Sequence, residues 1–279
     1  MQSHCRGSRN APEEGDLPIL FHHIPKTAGA TFREILGNIY REEERMAIYD
    51  EGFADVWAYQ NLSEEQRNTI RLYYGHQLNP VFGGLPPGYR HITFVREPLA
   101  HVVSQYRYVR RNPDYAFYSE VRQRSFLDYL ILDSGYEMQA RLLAFNKNLW
   151  DEPRSLRRRQ MIFGRMSANV HRFSVIGVTE RFDESLVLMK RLLGWKELPV
   201  YRPTNVAPAG EDEVYLSPKA LVPTQRHLTI SRILYRWANE RLDSQIASEG
   251  PSFQQELDDY RGRLAGAGDL RSKGDRRKD

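Results

Sequence analysis

Short apolar runs alternate with longer stretches of helical period along this chain. Leu17 to Phe21, Leu72 to Tyr74, Ile92 to Val95 and Val175 to Val178 are the clearest runs. They predict strands over about 17–23, 71–76, 90–95 and 174–179. After the first run, apolar residues recur at Phe32, Ile35, Leu36 and Ile39, the spacing of a helix that runs to about Tyr40. A second helix is predicted from Pro98 to Arg111, with Leu99, Val102, Val103 and Tyr106 on its apolar side and Pro at its first position. Ser63 to Gln66 is a capping box, and Ser125 to Asp128 is a further helix start. Residues 114–173 read as helical throughout. Asp183 opens a helix that ends near Gly194, and a last amphipathic helix is expected over about 223–247. Residues 41–61 mix charges and aromatics without a clear period. The stretch 79–88 is Pro/Gly-rich loop, and 199–214, with three Pro, reads as a loop that covers a site. Strands alternating with helices imply parallel crossovers and a three-layer α/β fold. The expectation is a central parallel sheet of four or five strands with a large helical insertion. It occupies 17–248, between a disordered 1–16 and a flexible basic tail at 249–279.

The junction of the first strand and first helix carries the candidate chemistry. His22-His23-Ile24-Pro25-Lys26-Thr27-Ala28-Gly29-Ala30-Thr31 puts small residues where backbone N–H groups meet the positive end of a helix. That is an anion site, and it makes the fold P-loop-like. Lys26 adds a point charge, and Thr27 and Thr31 add hydroxyls. It is not a Walker A loop, because that motif places its Lys after the second Gly, followed by a Ser or Thr that holds magnesium, whereas Lys26 precedes Gly29. The strand over 90–95 ends in Arg96-Glu97-Pro98, and Ser104 follows within the next helix. A nucleoside triphosphatase often holds a metal-binding Asp in such a place; Arg96 suits a second phosphate. Two anion sites without a metal ligand suggest a nucleotide phosphorylated in two places.

These two blocks, with Phe94-Val95-Arg96-Glu97-Pro98 and Val103-Ser104-Gln105-Tyr106 completing the second, resemble the signature blocks of the sulfotransferases. The pattern is most similar to the carbohydrate branch typified by heparan sulfate 2-O-sulfotransferase and its bacterial relatives. Tyr74-Gly75-His76, Gln139 to Leu143 and Ile176 to Leu186 resemble further blocks, so the likeness spans roughly 17–195. The resemblance implies 3′-phosphoadenosine 5′-phosphosulfate (PAPS) as donor, its desulfated form PAP as product, and no metal. It implies that the amides of Thr27, Ala28, Gly29, Ala30 and Thr31 and the Thr27 and Thr31 hydroxyls hold the 5′-phosphosulfate. Lys26 would face the bridging oxygen, and Arg96 and Ser104 the 3′-phosphate. His76 would be the general base. From spacing alone His76 reads first as a structural histidine bonded to a loop. Where some members carry another His two residues earlier, this chain has Tyr74, and Glu97 replaces the more usual Asp. Gln139 and Arg141 would lie at the acceptor site. His22 and His23 read as structural, one facing a covering helix and the other the donor end of the sheet. His91, His101, His171 and His227 carry no signal.

Composition narrows the partners. Residues 261–279 hold seven Lys or Arg and three Asp, a net +4 that equals the charge of the whole 279-residue chain. The body is therefore about neutral, which argues against a nucleic-acid protein. The remaining basic cluster, Arg154-Ser155-Leu156-Arg157-Arg158-Arg159, reads as a solvated helix start or as a strip for an acidic glycan. Cys5 is the single cysteine, so no internal disulfide can form. No apolar run approaches the roughly 20 residues of a membrane span. The expectation is a soluble chain of a reducing compartment, a bacterial cytoplasm, or else a shortened form of a Golgi protein. Its expected acceptor is a glycan or a small hydroxylated molecule. Two other readings compete: a P-loop kinase with an unusual loop, and a binding module without catalysis.

Overall fold

The computed structural model describes residues 17–49, 54–76, 78–115, 117–131, 136–146, 149, 154–204 and 224–275. The expectation for 1–16 lies outside them. Five parallel strands form one sheet in the order β2-β3-β1-β4-β5: β1 Ile19–His22, β2 Arg45–Ala47, β3 Leu72–Gly75, β4 Arg90–Val95 and β5 Val175–Val178. The chain is thus α/β, with helices flanking an all-parallel sheet. β1 and β5 are buried along their whole length, as befits strands covered on both faces.

Helices connect the strands in chain order: α1 Gly29–Ile39, α2 Ala54–Gln60, α3 Glu64–Thr69, α4 Leu78–Phe82, α5 Pro98–Arg111, α6 Tyr118–Val121, α7 Phe126–Ile131, α8 Met138–Leu143, α9 Leu156–Val170, α10 Phe182–Leu193, α11 Thr229–Ser248 and α12 Pro251–Asp275. The segment from α5 to α9 is the expected helical insertion between β4 and β5. Local signals act where the sequence places them. Ser63 Oγ accepts from the Gln66 amide while the Ser63 amide donates to Gln66 Oε1. Glu97 Oε2 accepts from the Ala100 amide at 2.6 Å, ahead of Pro98 at the first position of α5. Between β1 and α1 the core is built of edge-to-face rings: Phe21 on Phe32 at 4.7 Å and Phe32 on Phe94 at 4.9 Å.

Two features differ from the sequence expectation. Residues 45–47, without a readable period, form the edge strand β2, paired with β3 from Arg45 opposite Leu72 to Ala47 opposite Tyr74. Three residues at a sheet edge are too few for a periodicity to register. The larger correction concerns the tail. Residues 251–275 are the helix α12, and Phe253, Leu257 and Tyr260 are each no more than 2% exposed. With Leu264 they make one helical stripe, which the surrounding Gly and charged residues mask in the sequence. α12 is fastened to α10 by ion pairs: Lys190 and Arg191 to Glu256 at 2.6 and 2.7 Å, and Arg261 to Asp183 and Glu184 at 3.5 Å each. No helix among the described residues is long and apolar enough to cross a membrane.

The docked helix gives a direct test. Phe253→Ala should lower unfolding free energy by roughly 3–5 kcal/mol, the usual range for an aromatic truncated in a core. A urea unfolding curve that superimposes on the parent's would show that α12 does not pack on α10 in solution.

Candidate functional site

The register brings the candidate residues to one edge. In β1, His22 lies opposite Gly75 of β3 and Thr93 of β4. The residues that follow, His23, His76 and, slightly further, Arg96, therefore leave the same carboxyl edge of the sheet. Ligands bind at that edge in open α/β sheets.

The turn after β1 is held in an uncommon backbone conformation. Lys26 and Ala28 both have positive φ, 67° and 63°, and neither is glycine. Positions of this kind store roughly 1–3 kcal/mol each and persist only where neighbours hold them. The holding bonds are present. Thr27 Oγ1 donates to the Ile24 carbonyl at 2.8 Å, His101 Nε2 donates to the Pro25 carbonyl at 2.9 Å, and Arg96 Nη1 donates to the Lys26 carbonyl at 3.2 Å. His23 closes the other side. Its ring lies so near Gly29 that a Cβ there would come within 1.7 Å of Nε2, so only glycine fits at the start of α1. Left-handed residues in such a turn tilt successive amides to one side, the geometry of an anion-binding nest.

Thr27 differs from expectation. Its side chain is fully buried and its hydroxyl donates inward, so it braces the loop and leaves its amide as the group available to a ligand. Thr31 is also buried. Its Oγ1 accepts from the Thr204 amide at 3.0 Å and pairs with Thr204 Oγ1 at 3.2 Å. The start of the 199–214 loop thus reaches the anion loop, as a cover would; 205–214 lie outside the described residues.

Lys26 points across the site to α5, its ammonium 3.9 Å from the Tyr108 ring centre. Burial, then the charges of Arg111 and Arg96, bring its pKa down to about 8. Ser104 stands one turn from His101, which holds Pro25, and one turn from Tyr108, which holds Lys26. It therefore lies on the stripe of α5 that faces the loop. Arg96 is fixed at its backbone by Gln139, whose Oε1 accepts from the Arg96 amide at 2.8 Å while Nε2 donates to its carbonyl at 2.9 Å. Gln139 and Arg141, expected near an acceptor, are each 1% exposed and serve this framework instead; Arg141 Nη1 donates to the Tyr136 carbonyl. The Arg96 guanidinium lies 4.0 Å from Glu180, which also accepts from the Glu97 amide.

His76 follows β3 directly. Its Nδ1 lies 2.7 Å from the His23 carbonyl, which can only accept, so Nδ1 carries a proton, and in the neutral ring the lone pair falls to Nε2. The His23 ring lies alongside at 4.5 Å, and Tyr49 packs edge-on to His76 at 4.8 Å while its hydroxyl pairs with His23 Nδ1 at 2.8 Å. Burial, then His76, Arg33 and Lys26, hold His23 well below the ordinary imidazole pKa. Sequence reasoning missed this pairing. The second histidine comes from the neighbouring strand rather than from Tyr74, and only the register reveals it. His22 turns to the other face, as strand alternation requires, and bonds His91 at 3.1 Å. His101 also went unrecognised; its position on the inner stripe of α5 was the available signal.

Together, one edge assembles an anion loop with a lysine, an arginine and a histidine oriented through its Nδ1. No family model and no curated protein matches this chain.

The buried histidines set a pH dependence. Burial lowers His101 to about 4, against the effect of its bond to Pro25. Unfolded, it titrates near 6.5. Between those values the unfolded chain binds the extra proton, so stability falls as pH drops. His101→Gln, which keeps a donor for Pro25, should flatten that slope by about 1.4 kcal/mol per pH unit. Equal slopes for parent and variant in denaturation at pH 4.5–6 would assign the acid sensitivity elsewhere, His22 being next in line.

Proposed function

We propose that the protein transfers a sulfuryl group from PAPS to an acceptor hydroxyl, on a carbohydrate in the first instance. The observation that carries the reading is the bond from His76 Nδ1 to the His23 carbonyl, which in the neutral ring leaves Nε2 as the base, at the same sheet edge as a Lys–Arg anion loop. The two signature-like blocks and the His-bearing block of the sequence support it independently.

The residues present fit such a donor. A doubly phosphorylated nucleotide needs two anion sites, and this edge offers a strained amide turn with Lys26 and, beside it, Arg96, with Ser104 on the loop-facing stripe of α5. When bound, the donor supplies a sulfur–oxygen bond whose cleavage leaves charge on its phosphate. Lys26 is placed to neutralise that developing charge, a contact stronger in the transition state than before it. It must first leave the Tyr108 ring, and a cation–π contact of about 1–2 kcal/mol is readily displaced by a phosphate. The incoming anion also offsets the repulsion from Arg111 and Arg96 and favours the ammonium form. His76 Nε2 takes the acceptor's hydroxyl proton as the oxygen attacks sulfur. Its Nδ1–H goes on donating to the His23 carbonyl, which fixes the ring through the transfer. A neutral His23 beside it spares the incoming proton a second positive ring. Arg96, anchored at its backbone by Gln139 and 4.0 Å from Glu180, selects for the 3′-phosphate by a charge-assisted bond that a nucleotide without that group does not offer.

Calorimetric titration with PAP, with AMP and ATP as controls and magnesium omitted, tests the donor. PAP should bind in the micromolar range or tighter, AMP much more weakly, and Arg96→Ala should remove the difference. Equal affinity for AMP, or an ATP response that needs magnesium, would sink the reading in favour of a kinase. For turnover, Lys26→Ala and His76→Ala should each lower the rate by about 10²–10⁴ with an unchanged circular dichroism spectrum. Near-normal rates in both variants would refute the assigned roles.

A further inference from the structure

Three residues before Gln139 the chain borders a second concavity. Tyr136, Arg154, Ser155, Arg159, Arg226 and His227 line a cleft of about 460 Å³. That lies within the range of roughly 300–1,000 Å³ typical of small-molecule sites. Three arginines and a histidine converge on it, and its described lining contains no carboxylate. Glu137, next to Tyr136 in sequence, is attracted to Arg159, but its two oxygens are taken up by the Ile230 and Ser231 amides at 2.7 and 2.6 Å, at the start of α11. Neither Arg159 nor Arg226 forms an ion pair among the described residues. Arg154 lies along the wall, 4.6 Å over the Tyr136 ring.

The surrounding helix sharpens the imbalance. α9 begins here, capped by Ser155, whose Oγ accepts from the Arg158 amide at 3.1 Å. Its first turn holds Arg157, Arg158 and Arg159 and no acidic residue. Arginines at a helix N-terminus oppose the helix dipole, where acidic groups are the favourable choice. Cations gathered against a dipole are stabilised when an anion joins them, and the Ser155 hydroxyl can still donate to one. Burial and the charges of Arg154 and Arg159 also lower the pKa of His227, the response of a base in a positive field.

We infer that this cleft binds an oxyanion, a sulfate ester or carboxylate, carried by a molecule of about monosaccharide size, with Arg159 and Arg226 as its principal cations. A bare ion would leave most of the volume to water; a charged sugar would fill it. The inference concerns binding alone and does not rest on sulfuryl transfer.

The experiment titrates glucose 6-sulfate, glucuronate, inorganic sulfate and neutral glucose into the full chain. Arg96→Ala separates this site from the anion loop, and Arg159→Ala/Arg226→Ala removes its cations. The expected result is saturable binding of glucose 6-sulfate or glucuronate, unchanged in Arg96→Ala and weakened roughly tenfold or more in the double variant. Arg159→Lys/Arg226→Lys should retain part of the affinity, which separates lost charge from lost fold. Inorganic sulfate binding as tightly, with the same response to the variants, would keep the oxyanion site and overturn the sugar-sized ligand. Unchanged affinity in the alanine double variant, or no saturable binding of any anionic probe at millimolar concentration, would overturn the inference. PAP binding is read separately in Arg96→Ala, so failure of the donor assignment and failure of this cleft are distinguishable.

Discussion

Everything at the carboxyl edge depends on the turn from Pro25 to Gly29. Two residues there adopt left-handed backbone without being glycine, and an isolated peptide of this sequence would not hold that shape. The restraints come from three directions: a hydroxyl within the loop, an imidazole from α5 and a guanidinium from the end of β4. Each bonds a consecutive or nearly consecutive carbonyl, of Ile24, Pro25 and Lys26. With their carbonyls turned into the protein, the amides face outward. The strain is therefore the means by which donors are presented, and β4 and α5 enforce it. This also explains why His101 is buried in spite of its polarity: its bond to Pro25 is worth more inside the protein than one made in water.

Histidines divide the labour of the sheet by strand alternation. His22 and His91 pair on the inner face among Phe145 and Phe173, where burial disfavours charge. His23, one residue on, faces the site and does two things: its ring covers Gly29 and its carbonyl orients His76. Gly75 permits this crowding. With φ at +153°, and with a Cβ that would fall 2.0 Å from the Ile48 carbonyl, it lets β3 end tightly against the chain that follows β2. A side chain there would push His76 away from His23.

Most of the framework was legible because strong local signals coincide with tertiary need. Four of the strands and the helix from Pro98 to Arg111 appear where the apolar runs, the proline and the capping residues place them. Harder features lack local marks. β2 is short and on an edge. α12 hides a four-residue apolar stripe, Phe253, Leu257, Tyr260 and Leu264, in a background of charge and glycine that reads as solvated chain. At the site, residue types near the loop were readable, but directions were not. Thr27 turns inward and Gln139 braces Arg96 because of contacts made across 43 residues or within a buried turn. The juxtaposition of His23 and His76 spans 53 residues and follows from the β1–β3 register alone.

The pairing of β1 with β3 has a wider meaning. His76, the carbonyl that orients it and the anion loop all issue from two adjacent strands in the middle of the sheet, so their mutual geometry is as stiff as the hydrogen-bonded ladder between those strands. The residues that would meet a second molecule come from elsewhere: the 199–204 segment, the start of α9 and the residues before α11. On the proposed function, chemistry and recognition would thus be carried on separate parts of the chain. A lineage, or an engineer, could then rebuild the outer segments for a new partner while the proposed arrangement at the centre stays as the strands hold it.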